Sequence, residues 1–486
     1  MGALTGYRVL DFSEGIPGPL ATALLADHGA EVIKVEGPQG DRMDEHPGYL
    51  AWNRNKQRIR LDVRSPDGLA AALRLLETAD VAVFDSSPGE PERLGFDATA
   101  LQARNPALLH VWLPMFGTDG PWTDLPHDDG LLAALTGQSF LQFSYEDVPV
   151  WLVTPVVSYH YALGAAVAIA ASLFERLQSG RGQSLVMTGL DALAISQSGS
   201  VIDAPDMVRM GSSIPGARGG TANYRLYRCA DGEWLFLGTL TPKFFLRALD
   251  LLDLLDLLSR EDVAGEVLNL FRGPAALAAV EALDRKFAEK PRAEWLRILE
   301  EADLPRAPVG VREDWFRGEV VEANEMCVSL THPRLGPVLI PGVPAKLQGT
   351  PGEVQSLLAD TSVAALAPHA PVLRAGRSPS RQQPSESGGP LTGVRVLDFG
   401  GYIAGTFGPT VLAAFGADVI KIEGLEGDPF RFAALSAIGH NQGKRSLAID
   451  LKAPLVRETI HDLVPSGWGS ITGPCAESNP TSSRAR

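Results

Sequence analysis

The sequence has few cysteines and fewer basic than acidic residues. Only three cysteines occur in 486 residues, far apart and without CxxC spacing, so neither a disulfide framework nor a metal site is predicted. This usage favours a reducing, cytoplasmic compartment. Lys and Arg number 43 against 58 Asp and Glu, and the resulting net charge of −15 disfavours nucleic-acid binding, which needs a basic face.

Long apolar runs are also lacking. The N-terminal residues, MGALTGYR, have no charged stretch followed by an apolar one, so they do not resemble a signal peptide. The longest uncharged and mostly apolar run, 161–174, has 14 residues, whereas a membrane-spanning helix needs about 20. We therefore predict a buried helix there and no membrane partner.

What the sequence does contain is an internal repeat. Residues 4–36 match residues 391–423 at a constant offset of 387, with 18 of 33 positions identical. After a one-residue insertion, NRNKQRIRLDV at 53–63 matches NQGKRSLAIDL at 441–451. This period is far longer than the 20 to 50 residues of a solenoid repeat. The pattern indicates a tandem duplication of a whole protein.

The composition changes between the copies and again after the second one. Residues 366–390 contain five Pro, four Ser and three Gly, which predicts an exposed linker. The second copy is predicted at 391–465, and ten of the 21 residues at 466–486 are Ser, Gly or Pro. We interpret the second copy as truncated and 466–486 as an irregular tail, caused either by a truncated gene or by a shifted reading frame.

The start of the first copy has the pattern of a βαβ unit. Tyr7–Phe12 predicts a strand, Leu20–His28 a helix that ends at Gly29, and Glu31–Val35 a second strand. The same alternation continues with a helix at 68–78 and strands at 81–84 and 108–113. The fold class predicted is therefore α/β with a parallel sheet, and ligand sites are expected at the carboxyl ends of its strands.

The pattern changes near residue 224. Residues 224–238 predict a hairpin with a turn at Ala230–Gly232, and leucine-rich helices follow. We predict a small α+β domain at 224–310, inserted in a large α/β domain that is formed by 1–223 and 311–365.

Eight phrases of the first copy, in this order, resemble CoA-transferase family III, which includes the carnitine and formyl-CoA transferases and the 2-methylacyl-CoA racemases. They are LTGYRVLD (4–11), ADHGAEVIKVE (26–36), NRNKQRIRLDV (53–63), PG (88–89), FGTDGP (116–121), GRGQ (180–183), YRCADG (227–232) and THPRLG (331–336).

The resemblance implies a Rossmann-like large domain with a smaller inserted domain. It also implies two interlocked units, as a homodimer or in a pairing with another CoA-transferase chain. The expected substrates are an acyl-CoA and a carboxylic acid, and no permanently bound cofactor is expected.

The family's nucleophile is an aspartate that attacks the acyl-CoA thioester and forms a mixed anhydride. Counted back from GRGQ and forward from Pro155, its position in this chain holds Ser158. A serine cannot form an anhydride, and it would need a base to act as an alcohol nucleophile. His160 would lie on the same face in extended backbone, so a Ser/His pair is one interpretation and a structural replacement is the other.

The family's racemases use a His directly before an Asp. Asp129 matches that Asp, but the His position holds Asp128, and His127 is one residue out of register. Racemase chemistry is therefore disfavoured. Asp128 and Asp129 are either paired acid and base groups or a solvated turn before a helix that begins at Leu131.

The candidate CoA-binding residues lie in the loop after the first strand, in the segment before the third, and before Pro88, where the family often has an Arg. They are Ile16, Gly18, Pro19, Asn53, Lys56 and Ser87. A glycine lets backbone amides approach an anion, and a lysine adds a positive charge for a phosphate. For Gly18 and Lys56 the alternative is a purely structural or solvated position.

Two functions follow from these residues. The first is a CoA-transferase that moves CoA between an acyl-CoA donor and a carboxylate acceptor, impaired in this chain by Ser158. The second is a non-catalytic half of an interlaced or fused CoA-transferase, in which another chain provides the carboxylate.

Overall fold

The computed structural model describes residues 1–141, 148–203, 205, 214, 216–271, 273–372, 388–432, 434–453, 456, 460 and 463. The chain forms two compact units. Unit 1 comprises residues 1–197 and 203–377, and unit 2 comprises residues 198–202 and 378–486.

The described residues form fifteen strands. In chain order they are β1 (Arg8–Asp11), β2 (Glu31–Glu36), β3 (Lys56–Arg60), β4 (Val81–Phe84), β5 (Leu109–Trp112), β6 (Ser184–Val186), β7 (Tyr224–Arg228), β8 (Trp234–Gly238), β9 (Arg306–Pro308), β10 (Cys327–His332), β11 (Gly336–Pro341), β12 (Ala359–Asp360), β13 (Arg395–Asp398), β14 (Asp418–Glu423) and β15 (Lys444–Ala448).

The described residues also form sixteen α-helices. In chain order they are α1 (Pro17–Asp27), α2 (Tyr49–Trp52), α3 (Pro66–Leu76), α4 (Glu90–Leu94), α5 (Ala98–Arg104), α6 (Asp129–Leu135), α7 (Gln138–Leu141), α8 (Val156–Ser179), α9 (Gly189–Gln197), α10 (Pro242–Leu251), α11 (Gly273–Phe287), α12 (Arg292–Glu301), α13 (Arg312–Phe316), α14 (Glu319–Ala323), α15 (Ala404–Ala414) and α16 (Ala434–Gly439).

A seven-stranded parallel sheet is the centre of unit 1, with the order β12-β3-β2-β1-β4-β5-β6. The strand order reverses beside β1, which pairs with β2 on one side and with β4 on the other. Such a reversal opens a crevice at the carboxyl ends of the strands, where open α/β sheets bind ligands. The α/β class with a large parallel sheet is confirmed.

Apolar cores cover both faces of this sheet. On one face Val9, Val81 and Val111 pack with residues of α1, α8 and α9; on the other, Leu10 and Ala82 pack with residues of α3 and α5. The central strand β4 (VAVF) reads as a continuous apolar run because both faces are buried. The four strands that the sequence predicted, β1, β2, β4 and β5, lie within about one residue of their predicted positions, whereas β3, β6 and β12 were not predicted.

Helix α8 is the longest helix described and includes the apolar run at 161–174. By length and composition it could cross a membrane, but in this fold it is a core helix: Tyr161, Ala165 and Ile169 are buried in the core shared with α1 and β5. It begins at Val156, five residues earlier than the run indicates.

Residues 224–308 form a smaller subdomain of unit 1. Strands β7 and β8 make the predicted hairpin, and β9 joins β8 in an antiparallel sheet. Its own core contains Tyr227, Phe245 and Phe287 and includes residues of α10, α11 and α12. The small α+β unit is therefore present beside the parallel sheet, while the exact domain boundaries stay predictions.

The first residues of the predicted linker make hydrogen bonds within unit 1. The segment 366–372 is held on unit 1, because His369 Nε2 bonds to Asp80 Oδ2 at 2.9 Å and the Val372 amide donates to Asp80 Oδ1 at 2.8 Å. Asp80 is buried and also accepts from Arg176 Nη2 at 2.7 Å. Residues 373–387 of the predicted linker and the predicted tail at 466–486 lie outside the described residues.

Unit 2 repeats the start of unit 1. Strands β13, β14 and β15 form a parallel three-stranded sheet with the register of β1, β2 and β3, since Val396 pairs with Val419 as Val9 pairs with Val32. Helix α15 connects the first two strands, as α1 does in unit 1.

Candidate functional site

Two adjoining cavities lie at the carboxyl edge of the large sheet. The Ser158 cavity, of about 340 Å³, is lined by Ile16, Asp129 and Ser158 among others. The Ser87 cavity, of about 550 Å³, is lined by Ser87 and Arg64, and by the residues that directly follow β1, β2, β3 and β4. Both cavities thus lie where the strand order predicts a ligand.

Three residues line both cavities: Arg42, Asp85 and His127. Asp85 directly follows β4, and its Oδ2 accepts a hydrogen bond from the backbone N–H of Glu14 at 2.8 Å. Arg42 Nη1 donates to the carbonyl oxygen of His127 at 3.0 Å. We call the place where the cavities meet the junction.

Two titratable groups of the junction, Asp85 and His127, have pKa values that differ from their usual values. Asp85 lies deep in the fold but is accessible from the cavities, and burial raises its pKa to about 7 against the opposing effects of the Glu14 N–H, Lys34 and Arg42. Burial, with a contribution from Arg42, lowers the pKa of His127 to about 4. Near neutral pH, Asp85 therefore exchanges its proton readily while His127 is neutral.

Ser158 lies in the first turn of α8 and is buried, with 4% of its surface exposed. Its backbone N–H donates to Asp129 Oδ1 at 2.7 Å. The first N–H groups of a helix have no partner within the helix, and a carboxylate satisfies them well. Asp129 thus caps α8 from another helix, and burial raises its pKa although the hydrogen bonds from Ser158 lower it.

The two adjacent aspartates act on different helices. Asp128 is exposed, and its Oδ1 accepts from the Leu131 amide at 2.9 Å, so that it caps α6. Asp129 is partly buried and faces the Ser158 cavity. Asp128 is exposed, as a solvated turn requires, but both Asp128 and Asp129 line the Ser158 cavity.

The predicted Ser158 and His160 pair is not formed. The prediction assumed extended backbone, but both residues lie in α8, where positions two apart point to different sides of the helix. His160 does not line the Ser158 cavity, and its Nδ1 has no hydrogen-bond partner among the described residues. The geometry therefore contradicts a Ser/His nucleophile.

Lys56 has a structural role and does not reach a ligand. Its fully buried ammonium donates to Asp11 Oδ2 at 2.9 Å, to the Pro19 carbonyl at 2.7 Å and to Asn53 Oδ1 at 3.0 Å. Burial opposes the ionised form of Asp11, but Lys56 and Lys34 outweigh it and hold the pKa of Asp11 well below its usual range. An ammonium with these partners is not available to a phosphate.

The same network removes three more predicted CoA contacts. Asn53 and Pro19 are buried, and each accepts a hydrogen bond from Lys56. Gly18 is buried against Ser13, whose Oγ would lie 2.0 Å from a Cβ at that position. These residues are buried behind the loop that follows β1 and do not line either cavity. Ile16, in the same loop, lines the Ser158 cavity.

Of the predicted residues, the structure thus brings Ser158, Asp129 and Ile16 to one cavity and Ser87 to the next. The sequence prediction did not include Asp85, Arg42 or Arg64. Asp85 directly follows the strand predicted at 81–84, and a polar residue at the carboxyl end of a parallel strand was a signal that could have found it. Among the described residues, no group of three or more His, Cys, Asp or Glu is arranged to hold a metal ion.

The fold is similar to solved structures of low sequence identity. Rv3272 from Mycobacterium tuberculosis superposes with a TM-score of 0.65 at 24% identity, covering 74% of this chain and 97% of that one. A CAIB/BAIF family protein from Brucella suis gives 0.59 at 22%, covering 76% and 96%. At these identities the likeness concerns the fold.

The sequence model of CoA-transferase family III matches residues 4–357 and again residues 391–466. The chain belongs to this family, as its sequence predicted. Its second match begins where the internal repeat begins.

Curated relatives of the chain include several transferases. It is 28% identical to the CoA-transferase/lyase DddD of a Marinomonas species, over 95% of this chain and 61% of that protein. It is 28% identical to the alpha subunit of succinyl-CoA–L-malate CoA-transferase of Chloroflexus aurantiacus and 29% identical to human alpha-methylacyl-CoA racemase. These matches cover 73% and 71% of this chain, and 85% and 88% of the relatives. The chain thus spans about three fifths of the length of the Marinomonas relative.

Proposed function

We propose that the chain is a CoA-transferase family III protein that binds an acyl-CoA across the two cavities of unit 1 and does not form the family's acyl anhydride at position 158. The CoA portion occupies the Ser87 cavity, and the acyl group occupies the Ser158 cavity. Family membership supports transfer of CoA between an acyl-CoA and a carboxylate as the parent reaction.

Cavity size and two arginines support this placement. The larger Ser87 cavity has the exposed guanidinium groups of Arg64 and Arg42, which suit phosphate groups, although five carboxyl side chains also line it and Arg64 is paired with Glu90 at 3.1 Å. The smaller Ser158 cavity includes apolar side chains such as Leu113 and Met115, which suit an acyl chain. A thioester that connects the two portions would then lie at the junction.

The observation on which the proposal mainly depends is the position of Ser158. It lies in the wall of the Ser158 cavity with its amide fixed by Asp129, and the sequence resemblance implies that this position corresponds to the family's aspartate. The family's anhydride needs a carboxylate at this position, and an ester on the hydroxyl would need a base; His160 is not arranged to act as that base, and the neighbouring Asp129 already accepts hydrogen bonds from Ser158. Unit 1 therefore binds the substrate without the first covalent step.

A second candidate function follows from the same serine: unit 1 is the non-catalytic half of a pair. Relatives named as alpha and beta subunits of one Chloroflexus CoA-transferase favour this candidate, since that enzyme has two different family members. In such a pair the reacting carboxylate would come from the other chain, or from another part of a longer protein.

The first experiment measures CoA binding by isothermal titration. We expect the full chain to bind CoA, and Arg64→Gln to weaken binding severalfold because a phosphate contact is lost. Arg74→Gln is the matched control, since Arg74 is exposed on α3 and does not line either cavity. Equal affinities of the two variants would contradict the placement of CoA.

The second experiment tests position 158 by mass spectrometry after incubation with succinyl-CoA. We expect no acyl group on Ser158, and an acylated Ser158 would refute the proposal. Ser158→Asp restores the family's residue at this place. Its acylation, sensitive to hydroxylamine, would establish that position 158 aligns with the thioester, and Ser158→Ala is the control that should remain unmodified.

A further inference from the structure

We propose that unit 2 contains a binding site for a small phenol, a molecule with the ring and the hydroxyl group of a tyrosine side chain. The site is a cavity of about 410 Å³ against β14, β15 and α16, which we call the unit 2 cavity. Its volume is within the range of small-molecule sites. All of its lining residues belong to unit 2, so the proposal does not depend on the proposed function of unit 1.

Unit 2 has an alanine where unit 1 has a buried tyrosine. The internal repeat aligns Asn441 with Asn53, and therefore Ala437 with Tyr49. The two structures agree with this alignment, because each asparagine side chain donates to the carbonyl oxygen four positions earlier. Asn53 donates to Tyr49 at 3.2 Å, and Asn441 donates to Ala437 at 2.7 Å. Tyr49 is buried in unit 1, whereas its counterpart Ala437 lines the unit 2 cavity.

The carboxylate that binds the tyrosine hydroxyl is retained. In unit 1 the Tyr49 hydroxyl donates to Glu36, and the repeat aligns Glu36 with Glu423. Glu423 lines the unit 2 cavity, where its Oε1 accepts from Ser446 Oγ and, at 2.5 Å, from Arg431 Nη2. The cavity therefore has the acceptor for a phenol hydroxyl as well as the space for its ring.

A phenol suits the groups that line the cavity. Its ring would lie beside Ala437, and its hydroxyl would donate to Glu423, which is an acceptor when ionised. Burial opposes the ionised form of Glu423, but the hydrogen bonds from Arg431 and Ser446 outweigh it and hold its pKa below the usual value. The side chain of Arg431 is 58% exposed, so it can move outward and donate to the phenol oxygen.

The unit 2 cavity does not repeat either cavity of unit 1. Its lining residues Glu423 and Lys444 match Glu36 and Lys56, which line neither the Ser87 nor the Ser158 cavity. The Lys444 ammonium is held by Asp398 at 2.8 Å and is not available to a phosphate. These features favour a small aromatic ligand over the phosphates of CoA.

The test measures binding of 4-methylphenol, which reproduces the tyrosine side chain, to the full chain by saturation-transfer NMR titration. We expect saturable binding, and a loss of at least about 10-fold in affinity in Ala437→Tyr, because the new ring fills the cavity. Ala414→Tyr is the matched control. Ala414 is exposed on α15 and does not line the cavity, so this variant should bind like the unchanged chain.

Toluene tests the contact with Glu423, because it has the same ring and methyl group without the hydroxyl. We expect toluene to bind about 10-fold more weakly than 4-methylphenol, as one lost hydrogen bond to a charged group predicts. Equal affinities of the two compounds would overturn the assignment of a phenol to this cavity.

Hydrogen exchange of the unchanged chain locates the site even if Ala437→Tyr does not fold. We expect 4-methylphenol to slow exchange in peptides from 418–450 and to leave peptides from 1–60 unchanged. Absence of saturable binding would overturn the proposal. The same holds for undiminished affinity in folded Ala437→Tyr, or for protection confined to unit 1.

Discussion

The two copies of the βαβ unit share a buried ionic network but differ in how well their apolar faces are covered. Lys56 pairs with Asp11 in unit 1, and Lys444 pairs with Asp398 at 2.8 Å in unit 2. The side chains of both pairs are at most 2% exposed. The second pair of the network is repeated as well: Lys34 with Asp41, and Lys421 with Asp428.

The apolar parts are not repeated in this way. All four residues of β1 are buried, but only Asp398 is buried in β13. Eight residues of α1 are buried against one residue of α15, and Phe399 and Ile403 of unit 2 are 54% and 45% exposed. The ionic network is therefore encoded within one βαβ unit, whereas the burial of its apolar surface requires partners such as β4 and α8.

The largest expected effect comes from breaking the network in unit 1. Lys56→Met leaves the buried Asp11 carboxylate without its principal partner, which costs about 3 to 5 kcal/mol for a buried pair. We expect a correspondingly lower midpoint in denaturant unfolding. Lys243→Met, an exposed lysine of the same unit, should leave the midpoint unchanged; a similar loss in both variants would contradict a network role for Lys56.

The second prediction concerns Asp85, which directly follows β4 in unit 1. Its folded-state pKa of about 7 lies above its ordinary value of 3.8, so the folded chain holds the proton more tightly and loses stability as pH rises from about 4 to 7. Asp85→Asn escapes this loss. At pH 8 we expect the variant to be more stable by about 2 to 4 kcal/mol, with little difference at about pH 3, where the carboxyl is mostly neutral in both states.

Urea unfolding at the two pH values measures this difference. If Asp85→Asn were less stable than the unchanged chain at pH 8, the folded structure would stabilise the ionised carboxylate of Asp85, and the prediction would be wrong.

Breaking the network in unit 2 should cost less. Lys444→Met leaves Asp398 unpaired, but α15 is poorly covered, so water reaches the carboxylate with little rearrangement. We expect about 1 to 3 kcal/mol, the range for one unsatisfied buried group. Hydrogen exchange should increase in peptides from 391–450 and stay constant in peptides from 1–60; increased exchange in both regions would show that the two networks are coupled.

The smallest effect concerns the helix that follows the third strand. Ser65 Oγ caps α3 by accepting from the Gly68 amide at 3.1 Å, and the matched position in the second copy holds Ala453. Ser65→Ala therefore gives unit 1 the residue of unit 2, at a cost of about 1 kcal/mol. Ser65→Asp keeps an oxygen at the cap and should unfold like the unchanged chain in the same thermal measurement.

The sequence predicted β1, β2, β4 and β5 because each contains a short apolar run bounded by polar or glycine residues, but it did not predict β3 (KQRIR), which is mostly polar. It placed the start of α8 too late, since Val156 has no polar cap next to it in the chain. The capping group is Asp129, 29 positions before Ser158, whose amide it binds, and no local pattern reveals it. That error in the helix start led directly to the mistaken pairing of Ser158 with His160.

The sequence predicted which loops form the candidate site, because the order of strands and helices determines them. It did not predict which side chains are held in ion pairs, because their partners are distant in the chain. The loop after β1 was found from the βαβ pattern, and Ile16 lies in the cavity there. The sequence left Lys56 with equal alternatives, because its partner Asp11 is 45 positions away. Asp85 was overlooked because its unusual pKa comes from burial, which only the folded structure contains.

The strand β12 has a consequence for synthesis of the protein. Asp360 reaches Arg58, in the middle of β3, across 302 positions of the chain. At about 5 to 20 residues per second, the ribosome needs roughly 15 to 60 s to make the intervening segment. During that time the edge of β3 lacks its final partner, so the nascent chain presents an open sheet edge to which chaperones or other nascent chains can bind.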